Sequence, residues 1–106
     1  MAVIDQDVDL WAGDTTKLVF TVSGTLTAPT AEWVLAPSAY SAAVLTKSGV
    51  SMAQSGGAWV ATVSLYEADT EGLAPGDYYH ELRVVDGGAP WTVATGCFHL
   101  YPSVAR

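Results

Sequence analysis

Glycine and proline recur so often along this chain that no long helix fits between them. The widest interval runs 15 residues, from Gly57 to Gly72, and both residue types weaken the interior of a helix or a strand. Every element must therefore be short. Between the breakers, apolar side chains alternate with polar ones. Over residues 15–23, Leu18, Phe20 and Val22 share one parity, while Lys17, Val19, Thr21 and Ser23 share the other. A period of two puts successive side chains on opposite faces of a strand, so one face is buried and the other meets water. Thr30–Ala36 repeats the pattern, with Trp33 and Leu35 inward and Glu32 and Val34 outward. Pro29 and Pro37 bracket it, since proline cannot donate to a central ladder.

The second half of the chain reads the same way. In Ala58–Leu65, Trp59, Ala61, Val63 and Leu65 oppose Val60, Thr62 and Ser64. Gly76–Val85 and Pro90–Tyr101 form the arms of a hairpin across Asp86-Gly87-Gly88, residues that accept positive φ. Tyr78, His80, Leu82 and Val84 share a face on the first arm. On the second arm Phe98 and Leu100 point inward, and Gly96 reads as a bulge. Ala42–Ser48 and Val50–Gln54 are weaker strands around a Ser48-Gly49 turn. One segment breaks the β pattern. Ser64-Leu65-Tyr66-Glu67 matches a capping box, and Gly72 suits a left-handed close, which predicts a helical turn over 65–72.

Seven to eight short strands in 106 residues predict an all-β, immunoglobulin-like antiparallel β-sandwich. Trp33 falls on the third strand, a frequent place for a core Trp in such domains. Leu73-Ala74-Pro75-Gly76-Asp77-Tyr78 resembles the corner at which a Tyr hydroxyl ties back to the preceding loop. Either Tyr78 or Tyr79 takes that part, and strand parity favours Tyr78. The two layers are expected to meet around Phe20, Trp33, Trp59 and Leu82. Residues 1–11 read as an N-terminal arm and 12–106 as one sandwich domain.

Charge narrows the partners. Eleven acidic residues against four basic ones give a net charge of −7. Such a surface repels phosphate backbones, so no nucleic acid is expected. No apolar run approaches the roughly 18–20 residues that span a bilayer, so no membrane is expected. The acidic start, Met1 to Asp7, has the wrong sign for a signal peptide. Cys97 stands alone, so folding in a reducing cytoplasm is the expectation.

The candidates for chemistry each lack a partner. Asp5, Asp7 and Asp9 resemble the start of a calcium loop, but the positions requiring Gly and Glu hold Leu10 and Thr16. Along an extended chain the three carboxylates stand about 7 Å apart, so a solvated acidic arm is the reading. Cys97 and His99 are two apart on one strand face, at a spacing too wide for a nucleophilic dyad. One Cys and two His are a thin supply for zinc. His80 is expected as a satisfied histidine at the sandwich rim. Glu67, Asp69 and Glu71 lie on the helical turn, where Glu67 and Asp69 favour the helix dipole. Ser55-Gly56-Gly57 precedes a strand and lacks the Lys of a phosphate cradle. Neither catalytic residues nor a cofactor or metal is expected.

What remains is surface. Trp11, Tyr40, Tyr66, Tyr79, Trp91 and Tyr101 fall near strand ends or loops, where aromatics either anchor protein interfaces or cap the ends of a sandwich. Val34, Val60 and Val85 occupy outward parities. Both features point to docking against neighbours, by surface packing or by strand addition at an open edge.

Three blocks carry a family resemblance. Ala12-Gly13-Asp14-Thr15-Thr16-Lys17-Leu18-Val19-Phe20 resembles the "GDT…L.F" opening of small structural domains of tailed bacteriophages. Residues 65–82, with Asp69-Thr70, Leu73, Pro75-Gly76, Tyr78 and Glu81-Leu82, are similar to their "L…DT..L.PG.Y.YEL" signature. Thr92-Val93-Ala94-Thr95-Gly96-Cys97-Phe98-His99-Leu100 resembles their closing "TV..G.F.V" strand. Such domains are similar to the N-terminal sandwich of baseplate upper proteins, and the segment Pro37 to Ser55 matches none of their pattern.

The resemblance implies a non-enzymatic virion protein, folded in host cytoplasm and present in many copies. It would be a capsid decoration or cement protein, or a neck, tail or baseplate adaptor. Its partners would be capsid or tail subunits or further copies of itself. Residues 5–11 would then reach a neighbouring subunit, with Trp11 as anchor. A reading of another class is a carbohydrate-binding module with Trp11, Trp91 and Tyr79 as a stacking platform.

Overall fold

The computed structural model describes residues 4–23 and 26–102. Nine strands and one short helix follow in order: β1 (Ile4–Asp5), β2 (Val8–Trp11), β3 (Thr16–Ser23), β4 (Thr30–Ala36), β5 (Leu45–Lys47), β6 (Ser51–Ser55), β7 (Ala58–Leu65), α1 (Glu67–Glu71), β8 (Gly76–Asp86) and β9 (Ala89–Tyr101). β1 and β2 are two halves of one N-terminal strand, interrupted at Gln6-Asp7, so eight strand paths build the sandwich. The large sheet runs β1-β9-β8-β4-β5, with β2 also on β9, and the small sheet runs β3-β7-β6. That arrangement is the expected all-β sandwich of two packed sheets. One departure is that β1 and β2 pair with β9 in parallel.

The alternation places the core as read. Phe20 and Val22 of β3, Trp33 and Leu35 of β4, Val63 and Leu65 of β7, Leu82 and Val84 of β8, and Phe98 and Leu100 of β9 are all fully buried. Trp59 is the exception among the expected four. It is only partly buried and packs against the margin of the core, at the start of β7 beside the Gly56-Gly57 turn.

Local chemistry explains the connections. Gly87 and Gly88 turn the β8–β9 hairpin with φ of 64° and 82°, a left-handed pair that other residues adopt only at a cost. The Asp86 carboxylate accepts the Thr27 and Ala28 N–H groups and ties the β3–β4 loop to that turn. Tyr78, not Tyr79, makes the corner, its hydroxyl donating to the Ala74 carbonyl at 2.5 Å.

Four local expectations are corrected. The helix is capped at Tyr66, whose N–H donates to the Asp69 carboxylate at 2.7 Å. Ser64 instead belongs to β7, because the buried Leu65 beside it pairs with Thr16 and keeps the strand extended. Gly72 ends the helix at φ −90° rather than left-handed. The bulge in β9 is at Val93, which has no partner between the Leu82–Ala94 and Arg83–Thr92 pairs, so Val93 and Ala94 are buried in succession. β5 and β6 do not form one hairpin, since the Ser48-Gly49 turn carries the chain from β4's sheet to β7's.

Residues 4–11 do not project as an arm. They lie along β9 in their own sheet, with Leu10 buried in the core. Gly96 permits this. A Cβ there would stand 2.1 Å from the Gln6 carbonyl oxygen, so the crossing requires a residue with no side chain.

Candidate protein-interaction surface

The outer face of the large sheet collects the acids. Register sets them in rows: Asp9 and Asp77 flank His99, Tyr79 lies beside Cys97, whose N–H donates to the Asp7 carboxylate, and Trp11 lies beside Tyr101. Strand parity puts Asp5, Asp7, Asp9, Glu32, Asp77 and Glu81 on this face, against Arg83 and His99. His99 Nδ1 pairs with the Asp77 carboxylate. Trp11 packs on Tyr101 with ring centroids 4.8 Å apart, and His99 also packs on Tyr101 at 4.5 Å. The Tyr101 hydroxyl donates to Asp9 at 3.4 Å, and the Asp9 charge pushes its pKa up. Burial, then Asp77, Asp7 and Asp9, push the Cys97 thiol up as well. That disfavours the thiolate that nucleophilic or metal-binding chemistry needs.

The outer face of the small sheet is the opposite. β3 contributes Lys17, Val19 and Thr21, β7 contributes Val60, Thr62 and Ser64, and β6 adds only Ser and Ala. Among the described residues it carries no carboxylate. Val19 is 52% exposed at the unpaired edge of that sheet. No residue-type rule singles it out, but an outward Val between Lys17 and Thr21 was its signal in the sequence.

The six aromatic candidates do not form one surface. Trp11, Tyr101 and Tyr79 share the acidic face, with Tyr79 donating to Glu81 at 3.4 Å. Tyr40 is fully exposed in the β4–β5 loop. Tyr66 caps α1 and receives the Lys47 ammonium over its ring at 5.3 Å. Trp91 stands ten residues from Tyr101 along β9, roughly 33 Å away along a strand. Trp11 and Trp91 therefore sit at opposite ends of the sheet and share no stacking platform.

The remaining titratable groups serve the fold. His80 lies at the centre of the core, not at its rim. Trp33 Nε1–H donates to its Nδ1 at 3.1 Å, and its Nε2 lies 2.5 Å from the Gln6 carbonyl. An indole N–H only donates and a carbonyl only accepts, so the ring is neutral with its proton on Nε2. Burial lowers its pKa, and the Gln6 carbonyl, Asp7 and Asp5 oppose that without reversing it. Asp69 pairs with Lys47 at 2.7 Å. Burial works to raise its carboxyl, but Lys47 and the Tyr66 N–H outweigh burial and hold it below the usual range. A groove of about 390 Å³ beside Tyr66 is lined by Thr46, Lys47, Thr62 and Ser64. Its one cation is already engaged by Asp69.

No protein-family model matches the chain, and no curated protein matches it.

Proposed function

We propose that this chain is a non-enzymatic structural component of a tailed bacteriophage particle, positioned as a capsid decoration or cement protein. The alternative position for the same module is as an adaptor at the neck, tail or baseplate. Its partners would be capsid or tail subunits and further copies of itself, and it would fold in host cytoplasm before docking.

The observation that carries the reading is the division of charge between the two outer faces. Six carboxylates crowd the face of the large sheet, while the described small-sheet face has none and exposes Val19 at its edge. Burying a carboxylate without a partner is costly, so the neutral face is the one suited to a protein neighbour. The acidic face is suited to water and keeps decorated particles from adhering to one another. The three blocks that resemble phage domains supply the particle. They include the corner at Tyr78, the start of β8 at Gly76 and the Gly96 crossing.

The test is to purify particles from cells producing the chain and locate it. Mass spectrometry should find it at fixed copy number. Electron cryo-microscopy should resolve the sandwich with its small sheet toward the particle and Asp9, Asp77 and Glu81 toward solvent. Density on the head supports decoration, and density on the tail supports the adaptor. A chain that stays in the soluble lysate while particles assemble without it overturns the proposal.

A further inference from the structure

β3 is an edge strand whose outer side lacks a partner strand among the described residues. The Gln6 side-chain amide donates to the Val19 carbonyl at 3.2 Å. It approaches from the side away from β7, so Val19 directs its backbone groups outward. Alternation then directs the N–H and C=O groups of Lys17 and Thr21 outward as well. Proteins blunt such edges with proline, bulges or several charges. β3 has no proline, pairs with β7 in unbroken register over eight residues, and carries only Lys17 as a charge.

We infer that this edge pairs with the same edge of a second copy, antiparallel about Val19, to join two small sheets into one continuous six-stranded sheet. The register is self-complementary. Val19 faces Val19 of the other copy and exchanges both hydrogen bonds with it. Lys17 faces Thr21 on either side, so the two lysines are not opposed. Charge favours the same arrangement. Each chain carries −7, and the small-sheet faces brought side by side hold no described carboxylate. The six acids of each copy point from the outer face of the other, large sheet. The incoming strand takes the place of the Gln6 amide at the Val19 carbonyl. One strand pair buries less than a standard interface of about 1,200–2,000 Å², so the dimer is weak and concentration-dependent.

The pairing extends the assembly reading by naming a partner, yet it stands on the β3 edge. A dimer in solution supports it whether or not the chain is found on particles. Sedimentation equilibrium of the full chain, from about 1 µM to about 1 mM, should show a monomer–dimer equilibrium. Val19→Lys opposes two ammonium groups across the two-fold and should weaken the dimer about tenfold or more, with circular dichroism unchanged. Val19→Cys in a Cys97→Ser background, oxidised with glutathione disulfide, should form a disulfide-linked dimer, because Cα atoms of such a pair stand about 5.5 Å apart. A monomer at every concentration overturns the inference. So does a dimer that Val19→Lys leaves intact, or a Val19→Cys chain that does not cross-link.

Discussion

Replacing Gly96 with alanine forces two backbones apart at the point where the N-terminal strand crosses β9. The new Cβ would lie 2.1 Å from the Gln6 carbonyl oxygen, 2.6 Å from its carbon and 3.0 Å from His80 Nε2. None of these is the free end of a flexible side chain, so the chain around Gln6 must lift away. Lifting breaks the Gln6 N–H bond to the Thr95 carbonyl, 2.8 Å long, and the bond between His80 and the Gln6 carbonyl. The first costs about 1 kcal/mol, and a buried ring N–H left unsatisfied costs about 1–3 kcal/mol. A loss near 3 kcal/mol, at a denaturant slope of about 1–3 kcal/mol per M, lowers the urea midpoint by roughly 1–3 M. Hydrogen exchange at the Cys97 N–H, which donates to Asp7 at 3.0 Å, should accelerate with it. Gly49→Ala is the control, because its Cβ meets nothing within 4 Å, and it should stay within about 0.5 kcal/mol of the parent. A Gly96→Ala midpoint equal to the control's, with Cys97 still protected, refutes the account of the crossing.

Tyr78→Phe keeps the ring and removes only the hydroxyl that donates to the Ala74 carbonyl, so calorimetry should show a loss of about 1 kcal/mol, or roughly 4–8 °C in Tm. Asp69→Ala removes both the cap on the Tyr66 N–H and the Lys47 pair, and should lower stability by about 1–2 kcal/mol in urea. Stability should also fall on mild acidification. His80 is held neutral in the fold with its pKa below the ordinary value, so below about pH 6.5 the unfolded chain binds a proton that the folded chain refuses. The decline starts there and ends at the folded pKa, with a slope of up to about 1.4 kcal/mol per pH unit. Urea midpoints from pH 7.5 to 5.5 in a His99→Gln background isolate His80, and a flat profile contradicts the assignment.

Much of the fold was legible because parity is a local signal. The inward sets on β3, β4, β7 and β8 follow from alternation alone, and Tyr78 follows from its place beside Pro75-Gly76. Parity names no partner strand, however. Ser48-Gly49 looks like a hairpin turn, yet β5 and β6 join different sheets. Ser64 has the chemistry of a cap but is kept in β7 by its pairing with Lys17. Val8 and Leu10 alternate with Asp7 and Asp9 as a strand should, but the break at Gln6-Asp7 and the acidic side chains disguise the segment as a solvated arm. The surface was less legible. Trp11 meets Tyr101 through a parallel pairing across 90 residues, which no local pattern contains. The charge division between the faces appears only once the strands are sorted into sheets.

The parallel course of β1–β2 and β9 has a mechanical consequence. The described chain enters that pair with Ile4 beside Ala94, and Trp11 and Tyr101 lie together at its other end. A pull applied between the two ends drags the strands lengthwise past each other. All the rungs then resist together, including the Ala12 N–H on the Tyr101 carbonyl, rather than opening one after another like a zip. The glycine turn at the far end of β8 and β9 feels none of that tension. The molecule is strongest in the direction in which a taut tether would stretch it.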